Sequence, residues 1–397
     1  MNTYTTNALA HGINGPNILN NNWANRPDDE KFLSLSSMLE FKTQDTQHLE
    51  ENLTHVKSLK FAGIHQDNDT QGQIVLEYKD QETNKMRQVT PTHWSFNQLA
   101  SLAAAPSTYM RDLPAQLAAE CMQWGLMENR SNRFVKTYGQ LDSDLGQIRA
   151  ATGPDYGRIY DHEVIRKAID FCKYRAWKIP GAMVGSRDGL AEYNPDLPVT
   201  LDTTTLFASD RDCFLFLVDD KNPIEVGKLS NGDPDMMFRG FYISNSEVGA
   251  KSLKLGSMYL RGICMNRCLW GVENFSEVSI RHSKFALSKW YDEAAPALES
   301  FTAGNSQDLI NGVQLAKEAQ VAKSDEDALS FLRKNVGLSE SMAKLAAARH
   351  LEEEEQPVRS VWDAAQAITA IARDQRHQDT RVDLEKKAGA ILDKVVA

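Results

Sequence analysis

The spacing of apolar residues changes several times along this chain, and each change predicts a different element. Residues 1–30 are polar and rich in Asn, Thr, Gly and Pro, a composition that predicts a loose arm. Leu35, Met38 and Leu39, then Leu49, Leu53 and Val56, recur at helical spacing, which predicts one or two short helices between 32 and 60. The period then drops to two. Residues 60–64, 73–78 and 86–90 predict the strands of a small meander, separated by the turn-rich DNDTQG and KDQETN. Helical spacing returns over 92–125, where Thr92 is placed to cap a first helix, Pro106 ends it, and Pro114 sits in the first turn of a second. The pair predicts an αα-hairpin whose Phe96, Leu99, Leu102, Leu113, Leu117 and Met122 face a core.

Two strands are expected in NRSNRFVKTYGQ and LGQIRAATGPDYGRIY. A helix then starts at Asp161, its expected N-cap, with Val164, Ile165, Ala168, Ile169 and Cys172 as the buried stripe and Arg166, Lys167, Lys173 and Arg175 outside. Residues 206–219 predict a hairpin turning at 209–212, and 219–235, with Pro223, Asn231-Gly232 and Pro234, predicts a surface loop. Strands at 238–244, 253–264 and 276–282 follow. Segments 287–301, 305–322, 325–336, 339–350 and 358–373 have helical spacing, punctuated by Gly304, Gly337 and Pro357, and the acidic run 352–355 fits a solvated helix end. The expected class is therefore α+β, with a central, mostly antiparallel sheet and a helical C-terminal part. The organisation is an arm over 1–30, a small α/β segment over 31–92, an α+β core over 93–290 and a helical region over 291–397.

Composition narrows the function classes. The 397 residues are 42% hydrophobic, enough to bury a substantial core. A formal net charge of −10 works against diffuse adhesion to nucleic acid or anionic lipid, so any anion site has to be a local patch. The five Cys are scattered without a CxxC pair, which suits a reducing cytosol, and Cys264 with Cys268 lack the further ligands of a zinc site. The N-terminus has neither a basic start nor an apolar run, and no stretch approaches a membrane span, so a soluble, non-exported protein is expected. Neither a Walker motif, a GxGxxG opening a helix, nor HExxH is present, and no cofactor or metal is expected.

One stretch departs from the acidic background. Residues 239–289 hold eight Lys or Arg against three Glu. Candidate nucleic-acid-binding residues are Arg239, Lys251, Lys254, Arg261, Arg267, Arg281, His282 and Lys284, interleaved with aromatic residues as on a platform that stacks bases and tracks phosphates. Half of those aromatics must face the core. Between two strands, Asn245, Ser246 and Gly249 predict a tight turn able to present N–H groups and hydroxyls to an oxyanion, with Lys251 and Lys254 just beyond it. Asp210, Asp212, Asp219 and Asp220 are turn formers by spacing, although such a set raises the idea of a metal-dependent nuclease.

HWSFNQLASLAAAPSTYMRDLP, GRIYDHEVI, GFYISNSEVGAKSL, CMNRCLWG, IRHS and VWDAAQAITAIARD together resemble the phage/plasmid-like protein family, classed as a domain of unknown function, over about residues 93–375. Its members are carried by phages and plasmids. The resemblance implies a cytoplasmic protein of a bacterial host cell serving a mobile element, and it assigns no reaction and no catalytic residue. The leading expectation is a non-enzymatic nucleic-acid-binding protein that binds or anneals single-stranded DNA in recombination or DNA entry and assembles as a homo-oligomer. The alternative is an interaction protein whose acidic surface inhibits or decoys a host defence or repair factor.

Overall fold

The computed structural model describes residues 27–64, 72–80, 84–128, 134–141, 145–173, 177–180, 183–185, 191–193, 198–201, 204–229, 232–261, 267–268, 277–303, 306–375 and 378–396. In the first part of the chain, strands β1 (Lys31–Phe32), β2 (Glu50–His55), β3 (Lys60–Ile64), β4 (Gln73–Lys79), β5 (Met86–Pro91), β6 (Phe134–Gln140) and β7 (Gly146–Thr152) alternate with helices. These are α1 (Leu35–Thr46), α2 (His93–Leu102), α3 (Ser107–Asp112) and α4 (Ala115–Glu128). All the strands but β1 build one six-stranded sheet in the order β2-β6-β7-β5-β4-β3, antiparallel except where β5 runs parallel to β7. The β3-β4-β5 meander is the one the alternation predicts. The expected boundary at residue 92 falls inside this sheet, because β6 and β7 join strands from before it.

Local signals place α2 as predicted. Thr92 Oγ1 accepts the Ser95 N–H at 3.2 Å, and Phe96, Leu99 and Met122 of the α2–α4 hairpin are fully buried against the sheet. Leu117, expected in that core, is exposed instead. A second expectation fails at β2. The helical spacing of Leu49, Leu53 and Val56 gives way to a strand paired with β6, in which Asn52 and Thr54 turn inward and Leu53 faces out. The open edge of β6 offers a full backbone ladder, and Thr137 Oγ1 adds a hydrogen bond to the Asn52 carbonyl at 3.2 Å, so cross-strand pairing outweighs a short apolar spacing.

The second sheet follows helix α5 (Asp161–Cys172) and uses β8 (Trp177–Lys178), β11 (Leu206–Ala208), β12 (Cys213–Asp219), β13 (Ile224–Lys228), β14 (Pro234–Asn245), β15 (Leu253–Arg261), β16 (Arg267–Cys268) and β17 (Glu277–Ile280), while β9 (Met183–Gly185) and β10 (Ala191–Tyr193) pair separately. Its spine is β1-β11-β12-β14-β15-β16, with β8, β13 and β17 on β12, β14 and β15. The predicted loop at 219–235 thus contains a strand, β13, laid against the start of β14. Asp161 is the first helical residue of α5 rather than its cap, and Tyr160 at the cap position makes no side-chain bond.

Helices α6 (Ala286–Lys289), α7 (Ala295–Ala303), α8 (Ser306–Glu318), α9 (Asp325–Lys334), α10 (Glu340–Glu354), α11 (Val361–Arg373) and α12 (Gln378–Val396) complete the chain, α6 running into α7 through a π-helical turn. The fold class is α+β. Capping boxes at Ser324/Asp327 and Ser360/Asp363 start α9 and α11. α11 is buried around its circumference, and its alanines let α10 and α12 pack close on either side. No helix among the described residues is long and apolar enough to cross a membrane.

The two faces of the second sheet differ. Odd positions of β14 and β15, such as Phe241, Ile243, Leu255 and Tyr259, face α5 and the C-terminal helices. Even positions, Phe238, Tyr242, Met258 and Leu260, join Phe207, Phe214 and Phe216 in an aromatic layer on the other face. That layer lies flat because cross-strand glycines leave room: a Cβ on Gly256 would fall 2.2 Å from Tyr242 Cε1, and one on Gly240 2.6 Å from Phe216 Cε2. Gly256→Val is therefore expected to lift the Tyr242 ring and cost roughly 1–3 kcal/mol. A lower urea midpoint with an altered near-ultraviolet circular dichroism band checks this, and an unchanged midpoint would refute the packing.

Candidate nucleic-acid interface

The period-two pleat divides the predicted basic patch between the two faces. Arg239 and Arg261 are at odd positions and point into the helical layer. Arg261 is buried, with Nε donating to Asp235 Oδ1 at 2.8 Å and Nη2 to Asp235 Oδ2 at 3.0 Å, and it also reaches Glu354, Gln366 and the Trp362 ring. Arg239 is also buried and donates to Ser306 Oγ at 3.3 Å. These two side chains tie the sheet to the helices and are not part of an outer surface. For Arg267 only the backbone, opposite Leu260, is among the described residues.

The turn over 245–249 has the tight geometry expected, with Gly249 at φ +84°. Its groups are committed elsewhere. Asn245 Nδ2 donates to the Ile159 carbonyl and to Asp161 Oδ1, both at 2.8 Å, and Ser246 Oγ donates to the Arg211 carbonyl at 2.7 Å while accepting the Ala250 N–H at 2.9 Å. Trp94 Nε1 and Gln98 Nε2 of α2 both donate to the Val248 carbonyl. Asn245 and Ser246 are fully buried, so the turn is a seam joining the two sheets and does not present an open oxyanion hole.

The seam surrounds a buried ionic cluster that the sequence reading did not find. Lys42 Nζ of α1 lies 3.2 Å from Asp161 Oδ2, 3.4 Å from Asp45 Oδ2 and 3.8 Å from Glu247 Oε1, and it donates to the Ser209 carbonyl at 3.0 Å. Glu247 also accepts the Asp161 N–H at 2.7 Å and the Tyr138 hydroxyl at 3.0 Å. Arg149 holds Asp45 with two bonds of 2.7 Å. Burial works against the Lys42 ammonium, but Glu247, Asp161 and Asp45 outweigh it and hold its pKa above the ordinary lysine value. Burial, reinforced by the Glu247 carboxylate, pushes Asp161 up to about 7. Lys42, Asp161 and Glu247 are buried, and the cluster ties α1, α5 and the 245–249 turn together.

His282 is buried, stacks on Tyr156 with centroids 5.0 Å apart, and places Nδ1 3.2 Å from the Gly157 carbonyl. Burial, with a smaller contribution from the nearby Arg158, pushes its pKa down to about 4, so the ring is neutral at neutral pH. Arg281 and Lys284 on either side of it are exposed, and Lys284 Nζ lies 5.0 Å from the exposed Phe285 ring. Asp212 pairs with Lys251 and Asp220 with Lys178, and no group of three or more His, Cys, Asp or Glu is arranged to hold a metal ion among the described residues.

Two of the predicted residues do converge. Lys251 and Lys254 line a cleft of about 400 Å³ on the aromatic face of the second sheet, together with Arg211 from the β11–β12 turn and Lys386 from α12. Its wall includes Phe214 and Tyr242, stacked at 6.0 Å and 17°, and the hydroxyl-bearing Ser244 and Ser252. Asp383 is the one carboxylate in the lining among the described residues. Arg211 is steadied by Trp94, whose ring lies 5.1 Å from its guanidinium carbon. Ile280 pairs with Leu253, so Arg281, the next residue, extends the basic surface at this end of the sheet. Sequence reasoning assigned Arg211 to a turn and did not reach Lys386, which lies far beyond the patch near the end of the chain. Comparison with protein-family models, with curated proteins and with solved structures finds no match to this chain.

Proposed function

We propose that this chain is a nucleic-acid-binding protein and that the cleft beside Lys251 and Lys254 is where it holds phosphates. The observation that carries the reading is the gathering of Arg211, Lys251, Lys254 and Lys386 around one aromatic-walled cleft in a chain whose net charge is −10. A concave cluster of one sign focuses its field and attracts a polyanion locally even where the whole molecule is acidic. Lysines supply the point charges that suit phosphate, and the buried Phe214 and Tyr242 rings beneath hold the strands that carry them. Single-stranded DNA is the favoured ligand, bound or annealed during recombination or DNA entry in a bacterium carrying a mobile element, with the protein working as a homo-oligomer. A decoy role has less support, since two members of the acidic run point inward: Glu353 pairs with Arg373 and Glu354 with Arg261.

Fluorescence anisotropy with a labelled single-stranded oligonucleotide tests the proposal across a salt series. Binding is expected to weaken as salt rises, and Lys251→Glu/Lys254→Glu is expected to lower affinity by about tenfold or more and to reduce the salt slope by roughly one to two units. Absence of binding at low salt, or affinity unaffected by the double reversal, would sink it.

A further inference from the structure

Resting on that reading, we infer that the cleft takes the phosphate-bearing end of a nucleic-acid strand rather than a strand passing through. Size is the first reason. A cleft of about 400 Å³ is at the small end of ligand pockets, which run from roughly 300 to 1,000 Å³, whereas grooves for continuous single strands follow the backbone over roughly 4–16 nucleotides per module. It has room for about one nucleotide.

Shape points the same way. The sheet residues Phe214, Tyr242, Ser244 and Lys254 form one wall, and Val382, Asp383 and Lys386 of α12 stand as the other. A cleft bounded by both the sheet and α12 suits a chain end, which needs to seat only its last nucleotide there.

Charge is the third reason. Among the described residues the lining carries four cations against the carboxylate of Asp383, and even with Lys251 also paired to Asp212 at 3.6 Å the balance is positive. A terminal phosphate monoester holds about −1.5 to −2 charge at neutral pH with three strong acceptor oxygens, against about −1 for an internal diester, so this density of cations matches an end. Three of the four are lysines, whose ammonium groups meet a freely rotating terminal group without the fixed two-point geometry of a guanidinium fork. The Ser244 and Ser252 hydroxyls are further donors for the same oxygens.

The test compares one oligonucleotide sequence in four forms: 5′-phosphorylated, 3′-phosphorylated, without terminal phosphate, and circularised. The wild-type chain is expected to bind one of the two phosphorylated forms at least about tenfold more tightly than the unphosphorylated and circular forms, a gap of about 1.4 kcal/mol. Lys386→Glu, on the helical wall, is expected to erase that gap while residual binding to the circle persists. Thermal melting of the variant at the wild-type temperature shows that it is folded. Equal binding of all four forms, weakened together by Lys251→Glu/Lys254→Glu, would overturn end recognition and leave the nucleic-acid reading standing. A phosphate preference that survives Lys386→Glu would overturn the placement in this cleft, and failure of every form to bind would overturn both.

Discussion

Replacing Lys42 by Met is expected to lower the stability of the protein by roughly 3–5 kcal/mol at neutral pH, because it leaves buried carboxylates without their counter-charge. Lys42 and Asp161 are each 1% exposed and Glu247 3%, so water cannot take over the lost interaction. Asp45 keeps Arg149 as a partner; Asp161 keeps Asn245 and Glu247 keeps Tyr138, neither of which is a cation. The deficit has a predictable pH dependence. In the native protein the Asp161 pKa is raised from 3.8 to about 7, so its contribution to stability is complete below 3.8 and is lost as pH rises through about 7. Removing the ammonium raises that carboxyl further, and the deficit relative to the native protein should be smaller at pH 5 than at pH 8. Urea midpoints at the two pH values measure it. A variant as stable as the native chain, or a deficit that grows on acidification, would show that Lys42 does not hold the seam.

The second large effect is expected at Arg261. Arg261→Met strips the buried Asp235 of a two-bond partner, leaving it the half-exposed Lys317 at 3.5 Å, and also releases Glu354 at the end of α10 and the face of Trp362. A loss of roughly 3–5 kcal/mol follows from an uncompensated buried carboxylate. Changing Asp235 to Leu in the same chain should recover a large part of it, since removing both charges takes away the cause. At a temperature where the variant is folded, its affinity for single-stranded oligonucleotide should match the native protein. A specific loss of binding in a stable Arg261→Met variant would return this residue to the nucleic-acid surface and contradict its inward orientation.

How much was legible in the residues differs by element. Thr92 with Ser95, the alternation in β3 to β5 and the hairpin turn at 209–212 are local signals, and the structure realises them where the pattern placed them. The segment around β2 is a counterexample: Leu49, Leu53 and Val56 fit a helix, and the ladder offered by β6, some eighty residues later, draws 50–55 into a strand. Asp161 shows the same limit, since an acidic residue at a helix start has the signature of a cap, yet its carboxylate turns to Lys42 and Asn245.

The candidate site was half legible. Lys251 and Lys254 follow from the local excess of positive charge, but the same excess also drew in Arg239 and Arg261, because a count of charges ignores which way a strand turns its side chains. Arg211 and Lys386 carry no signal of their own; they belong to the cleft because a hairpin and the last helix arrive at the same end of the sheet.

By itself the amino-acid sequence determined the α+β class, the local elements with strong caps or clean alternation, and the presence of a basic segment within an acidic chain. Those properties arise from interactions between residues a few positions apart, which the order of residues states directly. Only the tertiary structure decided that the 245–249 turn is a buried seam, that two arginines serve the core, and that four cations from three distant segments meet at one cleft. Those outcomes depend on strand register and on helix placement, where the free energy comes from contacts between residues far apart in the chain.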